Sequence, residues 1–474
     1  MTGEHERSDT YDLVVVGCGA AGLSAALAYA NEAQGRPWRI AIVEVAPRSE
    51  RGGATRWTTA ALRIGSDDRL DPLWVGTMEE VSRGLNNLDY CLRLEKEVPA
   101  TIAILRESNV QLSHRYNPLA TVSSTGGAVP NGGGLAIIDA LAARLESLPG
   151  AVFLYETEAL RLVQGSEGRI AGVVVRGANG LTRSLHAPAV VLGSGGFEGS
   201  PRMLTQYVGA AACNLKLIAP GLAYNKGAGI RMAIDVGADT AGQFDGIHSE
   251  LIDLRSDKAD AVVLLHPYGI VVNAEGKRFF DEGQASFDAT FELIAYEVWR
   301  HQNSTAFIIL DQRAMNTPKV GALVFSHVPP IEASTIGELA DQLGIERDAL
   351  KKTVAEFNAA AGPGDVDVGR LDGVSTENLT PPKSNWATPI NNAPFYAFPV
   401  TTAITFTYGG LKADTESRVM GTNGHPIPGL YAAGEIVGLF YHEYPAGTSV
   451  LKALTFGRIA GVHAARERLT TEAA

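Results

Sequence analysis

Three glycines near the N-terminus have the spacing of a phosphate-binding turn. Gly17, Gly19 and Gly22 follow three consecutive valines and open an alanine-rich stretch. In the pattern G-x-G-x-x-G the first glycine permits a tight turn, the second lets the backbone approach a pyrophosphate, and the third lets a helix pack closely on a strand. A helix that begins here presents free N–H groups to phosphate. The spacing therefore predicts a dinucleotide site.

An acidic residue ends the next apolar run. Glu44 closes "RIAIVEV", about 20 residues beyond Gly22, where a carboxylate binds ribose hydroxyls and disfavours a 2′-phosphate. The dinucleotide is then NAD or FAD.

The far end of the chain bears on the choice between NAD and FAD. Gly434 and Glu435 close a predicted strand, and a predicted helix begins near Ser449 and Val450. A glycine–acid pair suits a ribityl-phosphate chain, and the helix N-terminus suits the negative charge of a reduced flavin pyrimidine. The alternative is the ordinary last strand and helix of a doubly wound domain.

The composition is that of a globular protein with more than one domain. The chain has 474 residues, of which 45% are hydrophobic, and its net charge of −12 argues against nucleic acid as a partner. Three scattered cysteines exclude a disulfide framework and a cysteine-ligated metal, and we predict no metal site. The opening "MTGEHERSDT" is no signal peptide, and the uncharged run at 13–30 is a strand, a turn and a helix. We therefore expect a cytoplasmic protein with no membrane span.

Landmarks along the chain resemble the flavoprotein superfamily of fumarate reductase and succinate dehydrogenase. They include "RGGATRW" at 51–57, "VVLGSGGF" at 190–197, "GIVVNAEGKRFFDE" at 269–282 and "GLYAAGE" at 429–435. Within the superfamily, "RGG.TR.T", "RFFDEG" and "ITFTYGG" look most like tricarballylate dehydrogenases. The pair Tyr444-Pro445 gives a weaker resemblance to 3-ketosteroid dehydrogenases.

The resemblance implies an α/β fold with an α+β cap. A Rossmann-like FAD-binding domain would comprise 1–244 and 405–474, and a substrate capping domain would be inserted at 245–404. Gly52 and Gly53 would let the chain run close under the flavin ring. Succinate dehydrogenases link FAD through a histidine in this stretch, and none follows here, so we predict non-covalent FAD. The expected FAD-binding residues are Gly17, Gly19, Ala20, Ala21, Gly22, Glu44, Val45, Arg51, Gly52, Gly53, Ala54, Thr55, Thr58, Ala159, Ser194, Gly195, Gly196, Gly434, Glu435, Gly447, Ser449 and Val450.

Three catalytic landmarks of fumarate reductases are replaced. No arginine lies between Glu282 and Arg300, where their proton donor would be. Their histidine before the Gly-Gly of the returning strand becomes Tyr408, and their substrate-clamping arginine aligns near Tyr444. Succinate and fumarate are therefore not the expected substrates.

Flavin oxidation of a C–C bond needs a base for the α-proton and a group that polarises the carbonyl. We expect Tyr408 or Tyr444 to deprotonate the substrate or polarise its carbonyl, and His248 and His442 to orient or relay. Arg56 or Arg63 could supply a missing positive charge. His266 and Arg278 are expected to be structural.

The sequence thus predicts an FAD-dependent dehydrogenase, a desaturase of a C–C bond α,β to a carboxylate or ketone of a small organic substrate, with an unidentified electron acceptor. Three alternatives stay open. One is an ene-reductase of the fumarate reductase type. Another is a 3-ketosteroid-like dehydrogenase with a pocket lined by Phe287, Phe291 and Trp299. The last is an electron-transfer flavoprotein subunit.

Overall fold

A computed structural model describes residues 9–115, 126–362 and 368–473. The strands are β1 (Leu13–Val16), β2 (Ile40–Val43), β3 (Leu112–Arg115), β4 (Gly127–Pro130), β5 (Ala151–Leu154), β6 (Glu158–Gln164), β7 (Ile170–Arg176), β8 (Thr182–His186), β9 (Val190–Leu192), β10 (Lys216–Leu217), β11 (Thr240–Ala241), β12 (Ile247–Asp253), β13 (Ile270–Val272), β14 (Ala306–Asp311), β15 (Ile331–Ala333), β16 (Phe395–Thr407), β17 (Gly410–Leu411), β18 (Arg418–Met420) and β19 (Pro426–Ala432). The α-helices are α1 (Ala20–Glu32), α2 (Trp74–Val81), α3 (Leu88–Glu107), α4 (Gly133–Glu146), α5 (Pro201–Tyr207), α6 (Ala228–Ile234), α7 (Phe287–His301), α8 (Gln312–Met315), α9 (Ile336–Leu343), α10 (Arg347–Ala360) and α11 (Ser449–Ala473).

The first sheet has the strand order β18-β19-β9-β1-β2-β5. Its neighbours are parallel except for the antiparallel pair β18–β19. β1, β2 and β9 are buried along their whole length, which explains their uninterrupted aliphatic sequences. The carboxyl ends of β1, β9 and β19 meet at one edge, where ligands bind in open α/β sheets.

The last helix packs against the first. α11 lies along α1, and a Cβ at Gly457 would collide with the backbone carbonyl of Ala21. This close contact fixes the N-terminus of α11 near the glycine-rich turn that precedes α1. Segments from the two ends of the chain therefore meet at the same edge of the sheet.

A second sheet is built around the long strand β16. It has the order β10-β16-β14-β13, and β12 and β15 also pair with β16. Five of these strands lie wholly or mainly within the predicted cap at 245–404, whereas β10 precedes it and pairs with Ala403 and Ile404. β12 runs antiparallel to β16, with a register shift between His248 and Ser249. The domain boundaries stay a prediction.

Buried polar contacts hold the cap together. The guanidinium of Arg278 pairs with Glu282 at 2.5 Å and donates to the carbonyl of Pro381 at 2.8 Å. His266 is buried and lies 2.8 Å from the Thr290 hydroxyl, and burial lowers its pKa to about 3. Both residues have structural contacts of the kind that we expected from the sequence. None of the described helices combines the length and apolarity needed to cross a lipid bilayer.

Candidate active site

A cavity of about 420 Å³ opens at the carboxyl edge of the first sheet and extends to β12 and β16. Segments far apart in the chain line it, including the glycine-rich turn, the loop after Gly52 and the start of α11. The predicted FAD-binding residues that line it are Gly17, Gly19, Ala20, Ala21, Glu44, Val45, Gly52, Gly53, Ala54, Thr55, Thr58, Ala159, Ser194, Gly195, Gly434, Glu435, Ser449 and Val450.

Three predicted glycines stand behind the cavity wall. A Cβ at Gly22 would collide with the Gly17 carbonyl, so Gly22 serves helix–strand packing. A Cβ at Gly196 would collide with the Glu435 carboxylate. The carbonyl of Gly447 accepts the backbone N–H of Arg63 at 2.8 Å. These glycines shape the wall and are not among the residues that line the cavity.

The side chains of three arginines named in the sequence predictions make their contacts outside the cavity. Arg51 donates to Glu146 at 2.5 Å and to the Tyr155 hydroxyl at 2.7 Å. Arg63 is buried and pairs with Asp71 at 2.8 Å, because the cation would otherwise be uncompensated in the core. Arg56 lies over the Trp57 ring, 5.6 Å from its centroid. None of the three is among the residues that line the cavity, and Arg63 is neutralised by Asp71. A substrate contact by Arg56 stays a prediction.

The residues at the edge of the sheet fit a dinucleotide. Both oxygens of Glu44 accept backbone N–H groups, from Cys18 and from Ala46, each at 2.8 Å, which fixes the carboxylate at the end of β2. The Ser194 hydroxyl is buried and has no protein partner in the described chain. Gly53 has a φ of +53°, and an added Cβ would have no protein atom within 4 Å. Fixed acceptors, an unpaired hydroxyl and open space beside a glycine are what FAD would need.

A pair of buried carboxyl groups supports the same wall. One oxygen of Glu435 accepts the backbone N–H of Thr407 at 3.0 Å, and Glu198 accepts the side-chain amide of Asn225 at 2.6 Å. Burial, and then the neighbouring Glu435, raise the pKa of Glu198 well above its usual range. Burial also raises the pKa of Glu435. Both shifts favour the neutral form of these buried carboxyl groups.

A hydrogen-bonded cluster lies next to the cavity. The His248 ring is 3.0 Å from Glu292 at Nδ1 and 3.2 Å from Glu250 at Nε2, and the Tyr408 hydroxyl donates to the other oxygen of Glu292. Burial by itself would lower the pKa of His248, but the two carboxylates outweigh it and raise the pKa to about 9. The protonated ring donates to both carboxylates. Burial and Glu292 raise the pKa of Tyr408 well above its usual range.

Tyr444 connects this cluster to α11. Its hydroxyl accepts the backbone N–H groups of Thr448 at 2.7 Å and Ser449 at 2.8 Å. Its ring lies 4.9 Å from the His248 ring and 5.0 Å from the Phe406 ring. Tyr444 therefore satisfies two N–H groups at the start of the helix that we expect to face the flavin.

The four predicted catalytic residues do not all meet. His248, Tyr408 and Tyr444 belong to one cluster, but His442 is exposed and does not line the cavity. Its backbone N–H donates to Gln243 at 2.6 Å in a turn where His442 has a φ of +62°. The hydroxyl of Tyr408 turns away from the cavity, toward Glu292.

The cavity-lining residues that the sequence analysis did not name include three polar side chains near β12 and β16: Glu250, Asp260 and Thr405. Glu250 lies two residues beyond His248 on β12, so strand periodicity could have found it. The buried Thr405 hydroxyl has no partner in the described chain. The position of Asp260 depends on a turn that the sequence pattern did not reveal.

The aromatic residues of the steroid-type alternative do not line the cavity. Phe287 and Trp299 are buried in hydrophobic clusters, and Phe291 meets the edge of His248 at 5.3 Å. None of the three is among the residues that line the cavity. Their role in a substrate pocket stays a prediction.

Residues 12–450 match the family of FAD-binding domains, and the chain belongs to this family. It is 31% identical to NADH:acrylate oxidoreductase of Vibrio harveyi over 69% of this chain and 32% of that protein. It is 30% identical to 4-oxocyclohexanecarboxylate 2-dehydrogenase of Sinomonas cyclohexanicum over 66% of this chain and 57% of that protein. The chain thus spans about a third of the first relative and just over half of the second.

Two solved structures share the fold. The open conformation of a flavocytochrome c3 fumarate reductase gives a TM-score of 0.77 at 22% identity, over 98% of this chain and 79% of that one. The 3-ketosteroid delta1-dehydrogenase from Sterolibacterium denitrificans gives a TM-score of 0.75 at 22% identity, over 97% of this chain and 100% of that one.

These comparisons confirm the predicted superfamily, the FAD-binding fold with a capping domain, and FAD as the cofactor. The relatives are oxidoreductases that act on CH–CH groups, the predicted enzyme class. The closer resemblance to tricarballylate dehydrogenases stays a prediction.

Proposed function

We propose that this protein is an FAD-dependent dehydrogenase of a C–C bond next to the carbonyl group of a small organic substrate. The observation that carries the proposal is the hydrogen-bonded cluster of His248, Glu250, Glu292 and Tyr408. At Glu250 this cluster reaches the wall of the FAD cavity. The relatives named above support the class of reaction.

The chemistry divides between the cofactor and the cluster. Bound FAD would supply the acceptor for a hydride from the β-carbon of the substrate. Glu250 accepts the proton from the α-carbon, which is acidified by the neighbouring carbonyl. The protonated His248 holds the Glu250 carboxylate in place at 3.2 Å, and Glu292 and Tyr408 hold His248 from the other side. Tyr408 thus serves as a positioning residue, because its hydroxyl does not face the cavity.

The cofactor would be held without a covalent bond. The turn at Gly17 and Gly19 would leave room for the pyrophosphate at the N-terminus of α1. Glu44 and Glu435 would bind sugar and ribityl hydroxyls, and Ser449 would present the N-terminus of α11 to the flavin. Histidine is not among the residues that line the cavity in the described chain.

The arginine pattern favours dehydrogenation over reduction. In α7 the first arginine after Glu282 is Arg300, which is exposed and stacks on the Trp299 ring at 4.7 Å. Among the described residues, Arg231 is the one arginine that lines the cavity, and it donates to the Lys226 carbonyl at 2.6 Å. The proton donor of fumarate reductases thus has no counterpart on α7.

The test is the rate at which a saturated substrate reduces the bound flavin without oxygen. Glu250→Gln should slow this step about 10²–10⁴-fold, the usual contribution of a general base. Glu275→Gln, an exposed substitution in the same cap, should leave the rate unchanged. An unchanged rate in Glu250→Gln at full FAD content would contradict the assignment of the base.

A further inference from the structure

Asp260 is held in the cavity wall by a fixed turn. The turn follows β12, and Ile252 bridges to Val262 across it. The backbone N–H of Asp260 donates to the Ile218 carbonyl at 2.9 Å, and its φ of +58° is in the left-handed region. Asp and Asn are among the few residue types that adopt this conformation at low cost. The turn therefore determines where the side chain of Asp260 enters the wall.

The charges around Asp260 favour its neutral form. Burial, and then the carboxylate of Glu250, raise the pKa of Asp260 to about 7, whereas Lys258, the Thr59 N–H and His248 oppose the rise. Lys258 is exposed and donates to the Phe325 carbonyl at 2.6 Å. Burial and a neighbouring like charge both disfavour the ionised form, so Asp260 carries its proton below a pH of about 7.

We propose that Asp260, in its protonated form, donates a hydrogen bond to the carbonyl oxygen of the substrate while Glu250 accepts the α-proton. The inference rests on the function proposed above and names its substrate class, a neutral carbonyl compound such as a cyclic ketone. The α-proton moves to Glu250, the hydride from the β-carbon moves to FAD, and a C=C bond forms. Asp260 keeps its proton throughout.

The charge balance explains why a neutral acid suits this position. As Glu250 takes up the proton, negative charge develops on the carbonyl oxygen. A neutral donor stabilises that charge without repelling it, which is the action of an oxyanion hole. An ionised aspartate at the same point would oppose it.

The same wall disfavours a carboxylate substrate. The cationic residues that line the cavity are Lys226, Arg231 and Lys452. None belongs to β12, its following turn or β16, the segments that carry Glu250, Asp260 and Thr405. Lys452 is buried, it donates to the Val437 carbonyl at 3.0 Å, and burial lowers its pKa to about 8.

The test compares Asp260→Asn, which keeps a donor, with Asp260→Ala, which removes it. Asp257→Ala is the control, since Asp257 lies in the same turn with a side chain that is 96% exposed. Each holoenzyme is mixed anaerobically with a panel of cyclic ketones and with succinate. Each is also titrated with phenol, whose hydroxyl mimics an enol, and binding is followed by the change in flavin absorbance. FAD content and thermal unfolding verify that every variant is folded.

With a ketone that reduces the wild-type flavin, Asp260→Ala should be slower by about 10²–10³-fold and Asp260→Asn by less than about tenfold. The wild-type rate should fall as the pH rises through about 7, while the Asn variant should not show this fall. Phenol should bind the wild type and the Asn variant alike and the Ala variant more weakly.

Two failures are distinguishable. If ketones reduce the flavin but Asp260→Ala matches the wild type in rate and in phenol binding, the role of Asp260 is wrong and the proposed function stands. If no saturated carbonyl compound reduces the wild-type flavin, the proposed function fails, and phenol binding still decides whether Asp260 is a donor. Reduction by succinate faster than by any ketone would overturn the substrate class.

Discussion

His248 and Glu250 lie two residues apart on β12 and are joined by a hydrogen bond of 3.2 Å between Nε2 and Oε1. Alternate residues of a strand share a face, so both side chains reach the same region beside the cavity. Because Glu292 binds the other ring nitrogen at 3.0 Å, the histidine lies between two acids. This arrangement fixes the protonation state of the ring and the orientation of the proposed base.

The protonated state of His248 makes the stability of the protein depend on pH. The pKa rises from 6.5 to about 9 on folding, so the stabilisation is complete below pH 6.5 and is lost as the pH rises through 9. Replacing His248 by Gln should cost about 2 kcal/mol of unfolding free energy at low pH. The difference between variant and wild type should shrink toward alkaline pH in denaturant titrations. A difference that grew with pH would contradict the assigned charge.

A substitution at Gly53 tests where the flavin lies. Asn tolerates a positive φ, and an added Cβ at Gly53 meets no protein atom within 4 Å, so Gly53→Asn should fold normally without cofactor. Since the open space is assigned to the flavin, FAD affinity should fall at least about tenfold, or 1.4 kcal/mol. Gly84→Asn, an exposed position with a φ of +75°, is the matched control. Equal FAD affinity in both variants would move the flavin away from this loop.

Tyr444→Phe removes the acceptor of two backbone N–H groups at the start of α11. The loss of a helix cap costs about 1 kcal/mol, and we expect a lower melting temperature together with weaker FAD binding. Tyr396→Phe is the control, because Tyr396 is a half-buried tyrosine of β16 that does not line the cavity. If the rate of flavin reduction falls by a much larger factor than the FAD affinity, while the melting temperature falls only slightly, Tyr444 also contacts the substrate.

The mode of FAD attachment is tested by acid precipitation of the holoenzyme. With no histidine in the loop after Gly53, the yellow colour should remain in the supernatant. Flavin that stayed in the protein pellet would show a covalent bond and would contradict the prediction.

The parts of the site that depend on local sequence were predictable. The turn at Gly17 and Gly19 and the acid at Glu44 follow from short-range spacing, and the structure places all three in the cavity wall. Local geometry determines these positions almost completely.

The catalytic cluster could not be assembled in this way. Glu292 is 44 residues from His248 and 116 from Tyr408, and they meet because α7 packs on β12 and β16. For Arg63, the sequence suggested a contact with substrate that the structure does not show. Arg63 was a candidate for substrate charge, but it is neutralised by Asp71, eight residues away. Whether a charged side chain faces a ligand or a buried partner depends on packing that residue type alone does not reveal.

The most direct measurement compares the two directions of the reaction in one stopped-flow experiment. Oxidised holoenzyme is mixed anaerobically with saturated ketones and acids, and reduced holoenzyme is mixed with their α,β-unsaturated counterparts. We predict that at least one saturated carbonyl compound bleaches the flavin faster than its unsaturated counterpart restores the colour. Rapid reoxidation by unsaturated compounds, with no bleaching by any saturated one, would show a reductase and contradict the proposed dehydrogenase.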